Sequence, residues 1–185
     1  MANVEVSTNG GATWNTASVG AGVWTYSLNT TSLIDGNNTI QVRAIDAAGN
    51  VQSAITSLTL KVDNTLPSVN HALSGTAGSN GWYVSAVTMT LAANDSGSGI
   101  ASRTLDGAPY TAPVIASSQG STTHTYFATD NVGNISAIQT FTLKIDTVKP
   151  TSSINTVSGI ISGTVTLRCA DSDASSVVAS VLVST

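Results

Sequence analysis

The stretch Ala44-Ile-Asp-Ala-Ala-Gly-Asn50 returns 84 residues later as Ala128-Thr-Asp-Asn-Val-Gly-Asn134. Each copy follows a short alternating segment. Each precedes a second segment, ending in Lys-Val-Asp (61–63) or Lys-Ile-Asp (144–146), and then a proline, Pro67 or Pro150. A repeat of this length, carrying strands and turns, implies a series of similar β domains. It is far longer than one coil of a β-solenoid, so a continuous solenoid is disfavoured.

The segments between the turns have the period of strands. Ile40, Val42 and Ala44 alternate with Gln41 and Arg43, as a half-buried strand requires. His124, Tyr126 and Ala128 hold the same slots in the second copy. Trp24, Tyr26 and Leu28 share one face of a segment over 23–28. Leu58, Leu60 and Val62 alternate in a strand over 51–62. Trp82-Tyr83 opens a strand in which Val87, Met89 and Leu91 face one way. Asn9-Gly10 and Asp106-Gly107 are hairpin turns, because these pairs adopt positive φ cheaply. No segment has a convincing helical period. Short strands joined by turns, without helices, predict an all-β chain of sandwiches.

The repeat divides the chain into 1–63, 64–147 and 148–185. The middle unit is complete. The first lacks its two opening strands and so leaves a sheet edge open and a core uncovered. The last holds those opening strands near Ile154 and through Val165, Leu167 and Cys169, then a segment from Val177 to Val183. Ala2-Asn-Val-Glu-Val-Ser-Thr8 resembles Ala179-Ser-Val-Leu-Val-Ser-Thr185. Two arrangements stay open. In one, the chain is an excerpt of a longer array. In the other, the tail strand of one copy completes the head of the next, with Val4, Val6, Val177, Val181 and Val183 as assembly residues.

At this point the residues carry a resemblance. Val4 through Trp14, Trp24, the run from Asp35 to Asp46, and Gly49-Asn50 resemble a bacterial immunoglobulin-like repeat. The middle unit is similar to a surface-protein variant of it through Trp82-Tyr83, Asp95-Ser-Gly-Ser-Gly-Ile100, Leu105-Asp-Gly107 and Ala128 through Asn134. The resemblance implies tandem immunoglobulin-like sandwiches in a rod-like array. It also implies an extracellular or bacterial cell-surface setting, as in adhesin stalks and accessory modules of secreted enzymes. Fold alone assigns no role.

Composition fits that setting. Only 9% of residues are charged while 41% are hydrophobic, so hydroxyls and amides dominate the surface. The net charge is −4 and the six basic residues are scattered singly, which speaks against nucleic acid or an anionic membrane as partner. No apolar run approaches the ~20 residues that span a bilayer, so membrane insertion is not expected. No signal peptide is visible from Met1 to Glu5, which makes an exported form a mature or excised piece.

Catalytic patterns are sparse. His124, in an inward strand slot, reads as a packed, hydrogen-bonded ring, and His71 has no nucleophile motif nearby. Cys169 continues the row of Val165 and Leu167 and reads as a small buried hydrophobe. The aspartates are the best site candidates. If domains stack end to end, Asp46, Asp63, Asp95, Asp130, Asp146 and Asp171 gather at junctions where carboxylates and carbonyl oxygens would hold Ca²⁺, a hard ion. The resemblance implies the same, since related bacterial stalks are stiffened this way. The competing reading is that each aspartate caps its own turn.

These observations predict a non-enzymatic extracellular stalk or fibre module. Its partners are neighbouring repeats or other copies of itself. The alternative is a carbohydrate-binding accessory module, which predicts a surface row of Trp and Tyr and a cell-surface glycan as partner. A secreted enzyme, the third reading, predicts a polar cleft.

Overall fold

The computed structural model describes residues 3–159 and 161–183. The early strands are β1 (Asn3–Ser7), β2 (Asn15–Thr16), β3 (Ser18–Gly20), β4 (Val23–Thr25), β5 (Gly36–Ile45) and β6 (Thr56–Val62). They are followed by β7 (Ser68–Ser74), β8 (Val87–Asn94), β9 (Ile100–Leu105), β10 (Ala108–Pro109), β11 (Val114–Ala116), β12 (Gly120–Asp130) and β13 (Gln139–Ile145). The last are β14 (Thr151–Ile154) and β15 (Cys169–Ser172). The chain is all-β; among the described residues the helical element is a 3-10 turn at Thr30–Ser32. It divides into two compact units. One is Met1–Ser68 with Asn94–Ala101 and Thr129–Ser136; the other is Val69–Ala93 with Ser102–Ala128 and Ala137–Thr185.

In the first unit one antiparallel sheet runs β2-β1-β5-β6. Its register places Val4 opposite Ala44 and Val6 opposite Val42. It also sets Glu5 opposite Arg43, whose Nη2 meets the Glu5 carboxylate at 2.7 Å. Cross-strand opposite charges favour that register over a slipped one. Val4, Val6, Ala17 and Ile40 form the core, with Tyr26, Leu28, Leu33, Val42 and Leu60 packed against it. Tyr26 and Leu28 thus face inward as their alternation predicts, whereas Trp24 remains 40% exposed. Cover also fails along β6: Val62 is buried, Leu60 half-buried, and Leu58 63% exposed. Between these positions the sheet opens into an apolar groove of about 330 Å³, lined by Val4, Trp24, Ile40, Val42, Ala44 and Leu58 among others.

The second unit is a sandwich of two sheets, β10-β9-β12-β13 and β11-β8-β7. Alternate residues of both are buried: Val87, Met89 and Leu91 on β8, Tyr126 and Ala128 on β12, Leu143 and Ile145 on β13. Asp106 and Gly107 both have positive φ, at 50° and 78°, which is the hairpin geometry this pair favours.

Four expectations need correction. The strand through Val165, Leu167 and Cys169 is absent before Cys169, where β15 begins, because residues 161–168 have no described strand to pair with. Trp82 and Tyr83 lie in the approach to β8, which begins only at Val87. Tyr83 N and O instead bond Lys144 O and Asp146 N, both at 2.8 Å. Among the described residues no strand forms over 177–183, where the structure shows no ladder neighbour to satisfy the backbone. Cys169 is exposed, because β14 and β15 form a two-stranded ribbon whose residues are exposed throughout.

The contrast between the covered and uncovered faces is measurable in urea. Leu91→Ala should lower the stability of the second unit by ~2–5 kcal/mol, as deletion of a buried leucine does. Leu58→Ala should change that of the first by under ~0.5 kcal/mol.

Candidate functional site

Three strand ends deliver the site, all within the first compact unit. Asp63 follows β6, Asp95 follows β8, and Asp130 closes β12. One carboxylate oxygen from each lies within 4.8 Å of the others.

Every one of these aspartates first organises its own loop. Asp130 Oδ1 accepts from Val132 N at 3.0 Å and Asn134 N at 2.8 Å, and its Oδ2 accepts from Asn134 Nδ2 at 2.7 Å. Asp95 Oδ2 accepts from the consecutive N–H groups of Gly97, Ser98 and Gly99 at 3.1, 3.0 and 2.8 Å. Asp63 Oδ1 accepts from Thr65 N at 3.2 Å. The turn-capping reading therefore holds for all three. It does not exhaust them, because the loops also bind one another. Ser98 N donates to Asp63 Oδ2 at 2.6 Å while serving Asp95, so one N–H bridges two carboxylates. Gly97 makes this approach possible: a Cβ there would overlap the Asp63 carboxylate.

The segment after Asp63 is clamped from two further sides. Asn134 Nδ2 donates to Asp63 O at 3.1 Å and Thr65 O at 3.4 Å. Asp35 accepts from Asn64 N at 2.6 Å and from the Thr65 hydroxyl. Asn64 Nδ2 returns to Thr30 O at 2.9 Å. The Thr65 hydroxyl and the Asn64 N–H hold the Asp35 carboxyl below its ordinary value. At Asp130 burial opposes ionisation, but the hydrogen bonds from Asn134, Val132 and Gly133 prevail and keep its carboxyl low as well.

The oxygen set fits a hard cation. Asp95 Oδ1 and Ser98 Oγ are both buried without a hydrogen-bond partner. Buried oxygens beside three clustered carboxylates are the donors such an ion takes. Lys61 Nζ, a nearby cation, reaches Gly97 O at 3.4 Å.

The other three expected aspartates lie elsewhere. Asp46 repeats the Asp130 loop bond for bond: Oδ1 accepts from Ala48 N at 2.9 Å and Asn50 N at 2.8 Å, and Oδ2 from Asn50 Nδ2 at 2.8 Å. Yet Asp46 is exposed, while Asp130 is 2% exposed. Asp146 is buried and accepts from Val148 N at 3.0 Å, as Asp63 does from Thr65. Asp171 does not join it, because Asp171 Oδ1 accepts from Ser152 Oγ at 2.7 Å on the β14–β15 ribbon. Asp173 takes that place: it accepts from Ser175 N and Ser176 N at 3.0 and 2.8 Å, and its carboxyl lies beside that of Asp146. The signal was in the sequence, since Asp173 stands eight residues after Val165 as Asp95 does after Val87. The two loops also share a backbone turn. Gly99 has φ +82°, and Val177 at the matching position has φ 63°. Asp35, Ser98 and Asn134 lie in the quoted motifs but were not named as site residues, because their partners at 63–65 come from distant parts of the chain.

Of the assembly residues, Val4 and Val6 are buried in the first core, with Val4 also lining the groove. Val177, Val181 and Val183 are exposed. In the second unit His124 Nδ1 meets Asp106 Oδ2 at 2.6 Å, and its ring stacks on Phe141 at 5.1 Å. His71 stacks on the same ring at 4.2 Å and bonds Tyr126 OH at 2.8 Å. Both imidazoles are packed and hydrogen-bonded.

Because Asp35 and Asp130 have lowered folded-state values, their stabilisation is complete above the ordinary carboxylate value of 3.8 and is lost as pH falls below it. Melting temperatures measured from pH 7 to pH 2.5 should show this loss, and Asp130→Asn should flatten the curve. A variant as steep as the parent would remove Asp130 from the acid transition. Gly97→Ala should lower the melting temperature at neutral pH, where the added methyl displaces the Asp63 carboxylate.

Residues 1–64 match the family model described as bacterial Ig-like domain. Comparison with curated proteins gives no match. Among solved structures, the fibronectin(III)-like modules of Clostridium thermocellum CbhA are similar at 16% identity and a TM-score of 0.36, over 77% of this chain and 77% of that one. A likeness that low adds nothing to the reading of the site.

Proposed function

From the match of residues 1–64 to the bacterial Ig-like domain, we propose that the chain is a non-enzymatic structural module of the bacterial cell surface or extracellular space. It builds a semi-rigid stalk or fibre. The observation that carries this reading is the clamp on residues 63–65. Carboxylates, an amide and backbone N–H groups converge there and tie the loops of the first unit to one segment. Ca²⁺ held by Asp63, Asp95 and Asp130 would neutralise the clustered charge and bring in the unpartnered Asp95 oxygen. A module whose loops are held rigid in this way suits projection or connection, and needs no catalytic group.

The fibre form adds head-to-tail contact, in which a C-terminal segment of one copy enters the apolar groove of the next. The groove supports this, since it leaves Leu58 and Trp24 uncovered. The carbohydrate-binding alternative draws less support. Among the described aromatic residues Trp24 is the exposed ring, and the others are buried or half-buried, so no row of rings forms.

Two measurements test the reading. Calcium should raise the melting temperature by several degrees over chelator, as ligand linkage requires, and Asp95→Asn should abolish that shift. An equal shift in the variant would sink the ion site. Electron microscopy of the purified chain should show filaments in calcium that shorten or dissolve in chelator. Dispersed short particles under both conditions would reject the fibre form.

A further inference from the structure

The chain makes one polar docking internally and carries both of its sides a second time. The completed docking sets loop 130–134 on residues 63–65. Asn134 Nδ2 spans from Asp130 Oδ2 to the carbonyl oxygens of Asp63 and Thr65. Loop 46–50 has the same internal hydrogen bonds. Its Asn50 is exposed and, among the described residues, its Nδ2 donates to Asp46 Oδ2 alone. Residues 146–148 in turn repeat 63–65, with Val148 N on Asp146 Oδ1 and Asp173 standing where Asp95 stands.

An apolar pair accompanies the polar one. In the second unit the β8 row Val87, Met89 and Leu91 is buried, and so are Tyr126 and Ala128 of the facing sheet. Val165, Leu167 and Cys169 repeat that row in sequence; here only Cys169 lies on a strand, and Leu167 and Cys169 are exposed. Val42 and Ala44 repeat Tyr126 and Ala128, and they line the open groove.

We propose that these unmatched halves are one interface between two copies of this chain. Loop 46–50 of one copy docks on residues 146–148 and Asp173 of another. Asn50 Nδ2 donates to the Asp146 and Val148 carbonyl oxygens. The row Val165, Leu167 and Cys169 of that second copy lies in the groove over Ile40, Val42, Ala44 and Leu58. The two surfaces differ, so the contact is heterologous and propagates rather than closing. The polar half fixes the register, because a slip of one residue would turn the apolar row outward. This inference rests on the fibre form of the proposed function and specifies which residues join.

Cys169 is the chain's one cysteine, which permits a direct test. A copy carrying Leu58→Cys and Cys169→Ser is mixed with the unmodified chain under mild oxidation, and disulfide-linked peptides are identified by mass spectrometry. The 58–169 link should exceed by at least tenfold the yield from a Thr13→Cys, Cys169→Ser control, whose cysteine lies on an exposed turn. Asn50→Ala, checked for folding by circular dichroism, should cut both the link and filament mass more than tenfold. Filaments with a 58–169 yield no higher than the control, or filaments indifferent to Asn50→Ala, would overturn this interface and leave the fibre reading standing. Absence of both filaments and links at every concentration would overturn the two together.

Discussion

The structure depends on what happens to backbone N–H groups where a strand runs out. A strand end leaves donors without a ladder partner, and a chain with 9% charged residues has few strong acceptors to offer. This chain spends its aspartates there. Asp46, Asp63, Asp95, Asp130, Asp146 and Asp173 each take at least one N–H within the next four residues. At Asp46, Asp130 and Asp173 these bonds hold the carboxyl below its ordinary value. Where three such ends meet, the acceptors outnumber the donors, and the surplus oxygen makes the cluster more than a set of caps.

The same economy shapes the sheets. Charged pairs are used where register must be defined, as at Glu5 and Arg43, whose guanidinium also lies over the Trp14 ring at 4.1 Å. Elsewhere burial alone carries the strands. Its limit is visible on β6, where a row that is aliphatic throughout passes from buried Val62 to exposed Leu58. An alternating pattern states which face a side chain takes. It does not state whether anything lies on that face.

That limit separates what the sequence showed from what it did not. The strand faces of 40–44 and 124–128, the Asp106-Gly107 hairpin and the Asp46/Asp130 loops were legible, because period and turn chemistry are local properties. The packed state of His124 was legible for the same reason. The exposure of Cys169 was not, since its row is identical in pattern to the buried row of Leu91. The choice between Asp171 and Asp173 turned on counting from Val165 rather than on residue type. The convergence of Asp63 with Asp95 and Asp130 depends on three loops far apart in the chain, and on a glycine at 97 whose need appears only when the carboxylate arrives.

Gly99 and Val177 occupy matching places in two loops with one backbone shape. Glycine adopts positive φ freely, whereas a β-branched residue there bears strain on the order of 1–3 kcal/mol. The loop around Asp95 is thus at rest in its conformation. The loop around Asp173 is tensed, and its shape is worth keeping only where something else holds it. Two turns that begin on matching aspartates therefore differ in kind: one is a finished part, the other a spring.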